Sequence, residues 1–228
     1  METNERLETE SLERRCFVTG TDTDVGKTVV AAGLLAGLAR LGPARYWKPV
    51  QSGIETSDDT TTVTSLTGLD ASLLFEPVYR LRAPLSPHLA AAFESVTIQR
   101  ERLAEAAERV LATPGSLVVE GAGGLLVPLA PGLLVADLVA LLQLPVLIVA
   151  HDRLGAINHT LLTIEACRRR AIPVLGVLLN RAGALDGNAT SIEAYGDVPV
   201  LGRFAETESA GATVEAVADA VPDIFRHR

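Results

Sequence analysis

Along the chain, short apolar runs bounded by turn-forming residues alternate with longer stretches whose apolar residues recur at helical spacing. The run Phe17-Val18-Thr19 predicts a first strand, and residues 29–39 predict the helix that follows it. Gly42-Pro43 breaks that pattern, after which residues 45–50 read as a second short strand running into Gln51-Ser52-Gly53. Val63, Leu66 and Leu69 sit at helical spacing in a segment that starts near Asp58 or Asp59 and reaches Gly68. Residues 83–88, interrupted by Pro84 and Pro87, predict a loop, followed by helical runs at 89–93 and 98–111. Further strands are predicted at 116–120, 145–150, 173–180 and 198–202, with a long helix over 155–171 and a terminal helix around 214–221. Strands alternating with helices imply an α/β fold, a mostly parallel sheet covered by helices on both faces. No internal repeat, low-complexity tract or linker divides it.

Composition fits that reading. Of 228 residues, 48% are apolar, enough to bury a substantial core in one domain. The net charge of −8 argues against a nucleic-acid partner, which needs a basic surface, while leaving room for a local basic pocket. The two cysteines, Cys16 and Cys167, fall in a strand and a helix with no zinc-ligand spacing, and read as buried thiols in a reducing compartment. His88, His151, His159 and His227 likewise lack partners at ligand spacing. Residues 1–14 are polar, lack the apolar core of a secretory signal, and read as a flexible tail ahead of a single domain spanning 15–228. Residues 121–150 are the most apolar stretch, but Pro128, Pro131, Pro145 and Asp137 interrupt them too often for a membrane span. No membrane partner and a cytoplasmic location are therefore expected.

The chemistry gathers first at Gly20-Thr21-Asp22-Thr23-Asp24-Val25-Gly26-Lys27-Thr28, between the first strand and its helix. Loop N–H groups of this kind ring a phosphate, Lys27 adds a mobile cation, and the Thr28 hydroxyl suits Mg²⁺. Five residues separate Gly20 from Gly26, one more than the strict G-x-x-x-x-G-K-[ST] pattern allows. An ordinary turn with a solvated lysine is the competing reading, but strand, glycine loop and helix in that order favour a P-loop NTPase-like fold. Lys48 falls at the carboxyl end of the second strand, where it can meet the same anion or simply flank a proline turn. Asp58 or Asp59 can cap a helix or bind Mg²⁺. Glu120 ends an apolar strand just before Gly121-Ala122-Gly123-Gly124, as does the second nucleotide-binding motif of P-loop proteins. The turn at Gly155-Ala156-Ile157-Asn158 opens a helix whose free N–H groups suit an anion.

Taken in order, the phosphate loop, Lys48-Pro49-Val50-Gln51-Ser52-Gly53, Ser86-Pro87-His88, Val119-Glu120-Gly121-Ala122-Gly123-Gly124 and Leu154-Gly155-Ala156-Ile157-Asn158-His159 closely resemble the dethiobiotin synthetase family. The resemblance covers nearly the whole chain, and the longer loop spacing is the family's own. It implies an ATP- and Mg²⁺-dependent homodimer that carboxylates 7,8-diaminopelargonate with CO₂ and closes the ureido ring. By the same resemblance Lys27, Lys48 and Ser52 serve catalysis, and Thr21, Asp22, Thr23, Asp24, Val25, Gly26, Lys27, Thr28, Glu120 and Gly123 hold the nucleotide. The resemblance further implies that Asn180 recognises adenine and that Thr28, Asp59 and Glu120 arrange Mg²⁺. Asp59 is preferred to Asp58 because the family's aspartate stands four residues before an apolar helix position, here Val63. Lys48 and Ser52 face the carbamate, while Gly155, Ala156, Ile157 and Asn158 receive the substrate carboxylate across the dimer interface. Two departures stand out. Asp24 replaces the family's usual glutamate, and Arg203-Phe204-Ala205-Glu206 replaces a proline-containing loop, which leaves base and ribose contacts by Glu206 or Glu208 open. A regulatory module or partitioning-type ATPase on the same fold is the alternative. The partitioning ATPases carry a further lysine before the loop glycines, where this chain has Thr19-Gly20.

Overall fold

A computed structural model gives the fold, and its description covers residues 13–183, 187–207 and 209–226. Residues 1–12, Glu208 and His227 therefore lie outside the described residues. In chain order the strands are β1 (Arg15–Gly20), β2 (Ala44–Trp47), β3 (Val50–Ser52), β4 (Leu74–Phe75), β5 (Tyr79–Leu81), β6 (Ser116–Gly124), β7 (Pro128–Ala130), β8 (Leu133–Leu134), β9 (Val146–His151), β10 (Val174–Ala182) and β11 (Val200–Ala205). The helices are α1 (Lys27–Ala39), α2 (Asp59–Thr67), α3 (Pro87–Phe93), α4 (Arg100–Leu111), α5 (Val135–Leu142), α6 (Ala156–Arg168), α7 (Gly187–Gly196) and α8 (Ala210–Ile224).

Seven strands form one sheet in the order β11-β10-β9-β1-β6-β2-β4, every neighbouring pair parallel. Parallel strands need crossovers, and the crossovers cover both faces, so β1, β6 and β9 read as near-continuous apolar runs. Phe17, Val119 and Ile148 point into one apolar layer shared with α4, α5, α6 and α7. Val18, Val118 and Val149 point into the other, shared with α1, α2 and α8. Both cysteines are buried. The loops that follow β1, β2 and β6 open at the carboxyl edge of the sheet, where ligands of such folds gather.

Several expectations need correction. The strand expected over 45–50 divides, because Pro49 has no N–H to continue the ladder and its carbonyl instead accepts from Val78 and Tyr79. β3 consequently leaves the main sheet and pairs with β5. The expected loop at 83–88 is shorter, since Pro87 occupies the first position of α3 and places His88 inside the helix. β6 runs on through the glycines, and Gly124 pairs with Gly20. The apolar stretch 121–150 contains an unforeseen helix, α5, and Asp137 does not merely interrupt it. Its carboxylate accepts the Leu134 N–H at 2.7 Å and caps that helix.

α1 is apolar on nearly every face because it lies between the sheet and α8. Two glycines let α8 come that close. A Cβ at Gly33 would stand 2.5 Å from the Val217 Cβ, and one at Gly37 would stand 2.5 Å from the Ala218 carbonyl oxygen. Replacing Gly33 by leucine should therefore destabilise the protein by about 1–3 kcal/mol through overpacking. Urea unfolding checks this, and an unchanged midpoint would contradict the close α1–α8 approach.

Candidate active site

Strand alternation sends Tyr46 of β2 and Val118 and Glu120 of β6 to the face that α1 and α2 cover. Lys48, just past β2, returns to that same face. The first turns of α1 and α2 bring Thr28 and Asp59 to the same point. Thr28 Oγ1 lies 2.9 Å from Glu120 Oε1 and 3.0 Å from Asp59 Oδ1. Lys48 Nζ lies 2.7 Å from Glu120 Oε1 and 2.5 Å from Asp59 Oδ2. The Tyr46 hydroxyl donates to Glu120 Oε2 at 2.8 Å. Glu120 is wholly buried, so these partners answer its charge.

Asp58 and Asp59 have separate duties. Asp58 is the N-cap of α2 and accepts from the Thr61 N–H and from the buried Gln51 amide, each at 3.1 Å, and from Arg80. Thus anchored, α2 presents Asp59 to Thr28. The glycine-rich loop shows equally tight constraints. A Cβ at Gly20 would meet the Asp22 carbonyl oxygen at 2.8 Å and Lys27 Nζ at 3.0 Å. Gly26 has φ 90°, and a Cβ there would fall 2.1 Å from Asn180 Nδ2. Gly26 supplies no side-chain cap, which leaves the first-turn N–H groups of α1 facing the loop.

The loop and cluster line a cavity of about 690 Å³. Thr23, Asp24, Gly26, Lys27, Thr28, Lys48, Ser52, Asp59, Glu120 and Gly123 all reach it. Pro84, Leu85 and Ser86 of the proline-rich loop and Pro87 at the start of α3 also line it. Arg181, at the end of β10, also lines it and was not anticipated, since an arginine one residue past an apolar strand carries no distinctive signal. Asn180 does not line this cavity. It is buried, and its Nδ2 donates to the Val25 carbonyl at 3.0 Å, tying β10 to the loop. Thr21 and Asp22 instead line a second hollow of about 390 Å³ together with Leu126, His159 and Leu162. Gly155, Ala156, Ile157 and Asn158 line neither, although Gly155, at φ 94°, does start α6 as expected.

The two lysines titrate in opposite senses. Burial is the largest influence on Lys27 and holds its ammonium below the ordinary lysine value, against the pull of Glu120. Burial also works against the Lys48 charge, but Glu120 and Asp59 together outweigh it and raise Lys48 above the ordinary value. Burial, then the Glu120 charge, push the Tyr46 phenol well above its usual range, so it remains a donor.

Residues 14–213 match the AAA domain family AAA_26. Over 208 residues the chain is 46% identical to the ATP-dependent dethiobiotin synthetase BioD of Rhodopseudomonas palustris, an alignment covering 91% of this chain and 90% of that protein. The chain belongs to the dethiobiotin synthetase family. The BioD of Agrobacterium fabrum, another ATP-dependent dethiobiotin synthetase, is 49% identical over 164 residues, covering 72% of this chain and 73% of its own. The family expected from the ordered motifs is therefore the one found.

Solved structures show how widely the synthetase's fold is shared. A putative plasmid partition protein from Borrelia burgdorferi bound to AMPPNP superposes with TM-score 0.59 at 15% identity, covering 94% of this chain and 98% of that one. The septum site-determining protein MinD from Pyrococcus horikoshii, complexed with Mg-ADP, superposes with TM-score 0.58 at 13% identity, covering 94% and 97%. Identities this low establish a P-loop fold and do not favour the regulatory alternative.

Lys27 folds with its charge disfavoured by burial, so replacing it by methionine should stabilise the ligand-free synthetase by about 0.5–2 kcal/mol at neutral pH. Because the folded state loses this proton more readily than the unfolded chain, the gain should shrink as pH rises towards about 10.4. Thermal melts across that range check it; a lower melting point for Lys27→Met at pH 7.5 would contradict it.

Proposed function

We propose that the chain carboxylates 7,8-diaminopelargonate with CO₂ and closes the ureido ring at the expense of ATP, releasing dethiobiotin, ADP and phosphate. The observation that carries this reading is the convergence of Lys48, Thr28, Asp59 and Glu120 beside the glycine loop, in one cavity with Ser52. One amine of the substrate takes up CO₂ as a carbamate, the carbamate attacks the γ-phosphate, and the second amine closes the ring and expels phosphate. Bringing two anions together requires concentrated positive charge and fixed positions more than acid–base chemistry.

The chain supplies both. Lys48 has three N–H donors, two of them directed at Asp59 and Glu120, which leaves one for an anion in the cavity it lines. Its raised pKa keeps it charged throughout. Lys27 and the first-turn N–H groups of α1 take the phosphates, and Ser52 hydrogen-bonds the carbamate. Thr28, Asp59 and Glu120 form an all-oxygen set suited to Mg²⁺, a hard cation that keeps several waters and needs few protein ligands. The Thr28 hydroxyl has a single proton for its two carboxylate neighbours, so a lone pair remains available to a cation. When bound, Mg²⁺ would neutralise charge on the transferring phosphoryl group.

Asn180 has one amide proton committed to Val25, and its remaining donor and acceptor would read adenine. The Gly155 to Asn158 turn would receive the substrate carboxylate from a partner copy in a homodimer, in keeping with its not lining this chain's own cavity. Residues 15–228 would act as one domain behind a polar tail. No helix among the described residues is long and apolar enough to cross a membrane, and a chain with only two cysteines, both buried, suits a cytoplasmic location.

Purified protein should release phosphate from ATP only when diaminopelargonate, bicarbonate and Mg²⁺ are all present; turnover without the diamine would overturn the reading. Lys48→Ala should retain nucleotide binding yet lose about 10²–10³-fold in turnover, as when a preorganised donor to a developing charge is removed. Wild-type turnover in that variant would take Lys48 out of the mechanism.

A further inference from the structure

Tyr46 has no role in the mechanism above, yet its hydroxyl is buried beside the site and bonded to Glu120. Its ring is wholly buried in the apolar layer between β2, α1 and α2. A phenylalanine would fill the same space without burying a hydroxyl. That hydroxyl donates to Glu120 Oε2 at 2.8 Å, and among the described residues it is the donor this oxygen has. The other oxygen, Oε1, meets Thr28 at 2.9 Å and Lys48 at 2.7 Å. The last torsion of a glutamate side chain is soft and roughly two-fold, so the backbone does not decide which oxygen faces the cavity. Hydrogen bonds decide it. Without Tyr46, a fully buried Oε2 would have no donor, and the carboxylate would gain by turning towards Thr28 and Lys48 with both oxygens.

We propose that Tyr46 is a positioning residue for the metal site: its buried hydroxyl holds Oε2 of Glu120, so that Oε1 alone is presented to Thr28, Lys48 and a bound Mg²⁺. The inference rests on the reading of Glu120 as part of that site. A carboxylate in a metal site held by an outer hydrogen bond typically loses 10–100-fold in metal affinity when the bond is removed.

Calorimetric titration of the full chain with ADP, in EDTA and then in MgCl₂, tests it. Tyr46→Phe should bind ADP in EDTA as the unsubstituted protein does, while its apparent Mg²⁺ affinity falls about tenfold. Equal Mg²⁺ affinity in the two proteins overturns the inference, as does an equal loss of ADP binding in EDTA, which a general packing defect would give. An unsubstituted protein with no Mg²⁺-dependent gain would overturn the reading of Glu120 instead. If Tyr46→Phe does not fold, 3-fluorotyrosine can be placed at all three tyrosines of the native sequence. The Tyr46 fluorine resonance, assigned by elimination with Tyr79→Phe and Tyr195→Phe, should move when Mg²⁺ joins the ADP-saturated protein. A resonance that stays in place overturns the inference.

Discussion

A carboxylate that water does not reach sets the terms for this fold. Glu120 lies near the end of the run of buried residues on β6, next to the central strand, and an unpaired charge there would cost several kcal/mol. Each of its partners is delivered by a different element: Tyr46 by β2, Lys48 by the break after β2, and Thr28 by α1. The β2–β6 register, the start of α1 and the split at Pro49 are thus bound to one electrostatic requirement. If any of them shifts, a buried group loses its partner, and that asymmetry makes the arrangement specific.

Close backbone approach is the second condition. Gly20 admits the Asp22 carbonyl and the Lys27 ammonium, and Gly26 admits the Asn180 amide, at distances that exclude a side chain. Asn180 in turn ties β10 to the loop through Val25. The phosphate loop is therefore braced from the sheet on one side and by the Glu120 cluster on the other. Preorganisation of this kind makes fixed N–H groups and cations effective on a transferring phosphoryl group. Burial within this braced loop holds the Lys27 charge disfavoured, against the pull of Glu120.

Much of this was legible in the sequence, and the parts that were not have identifiable causes. The phosphate loop was readable because glycine positions and flanking periodicity report backbone constraints directly. Asp59 is preferred to Asp58 only through the family resemblance, since the residues alone leave both open. The division of β2 from β3 was hidden because an apolar run continues across Lys48-Pro49, and only the proline's missing donor separates the strands. α5 was hidden because its capping aspartate looked like an interruption within an apolar stretch. Tyr46 was hidden for a deeper reason. An aromatic residue in a strand reads as packing, and nothing in its spacing shows that its hydroxyl meets a glutamate on β6. Contacts between distant elements, unlike periodicity, leave no local trace.

On the proposed reading, this cluster directs the γ-phosphate onto a carbamate oxygen and not onto water. A single turnover with oxygen-18-labelled CO₂, Mg·ATP and diaminopelargonate in ordinary water, quenched before CO₂ exchanges its label, tests it most directly. The released phosphate should carry an oxygen-18 atom derived from CO₂. Unlabelled phosphate formed together with dethiobiotin would contradict it.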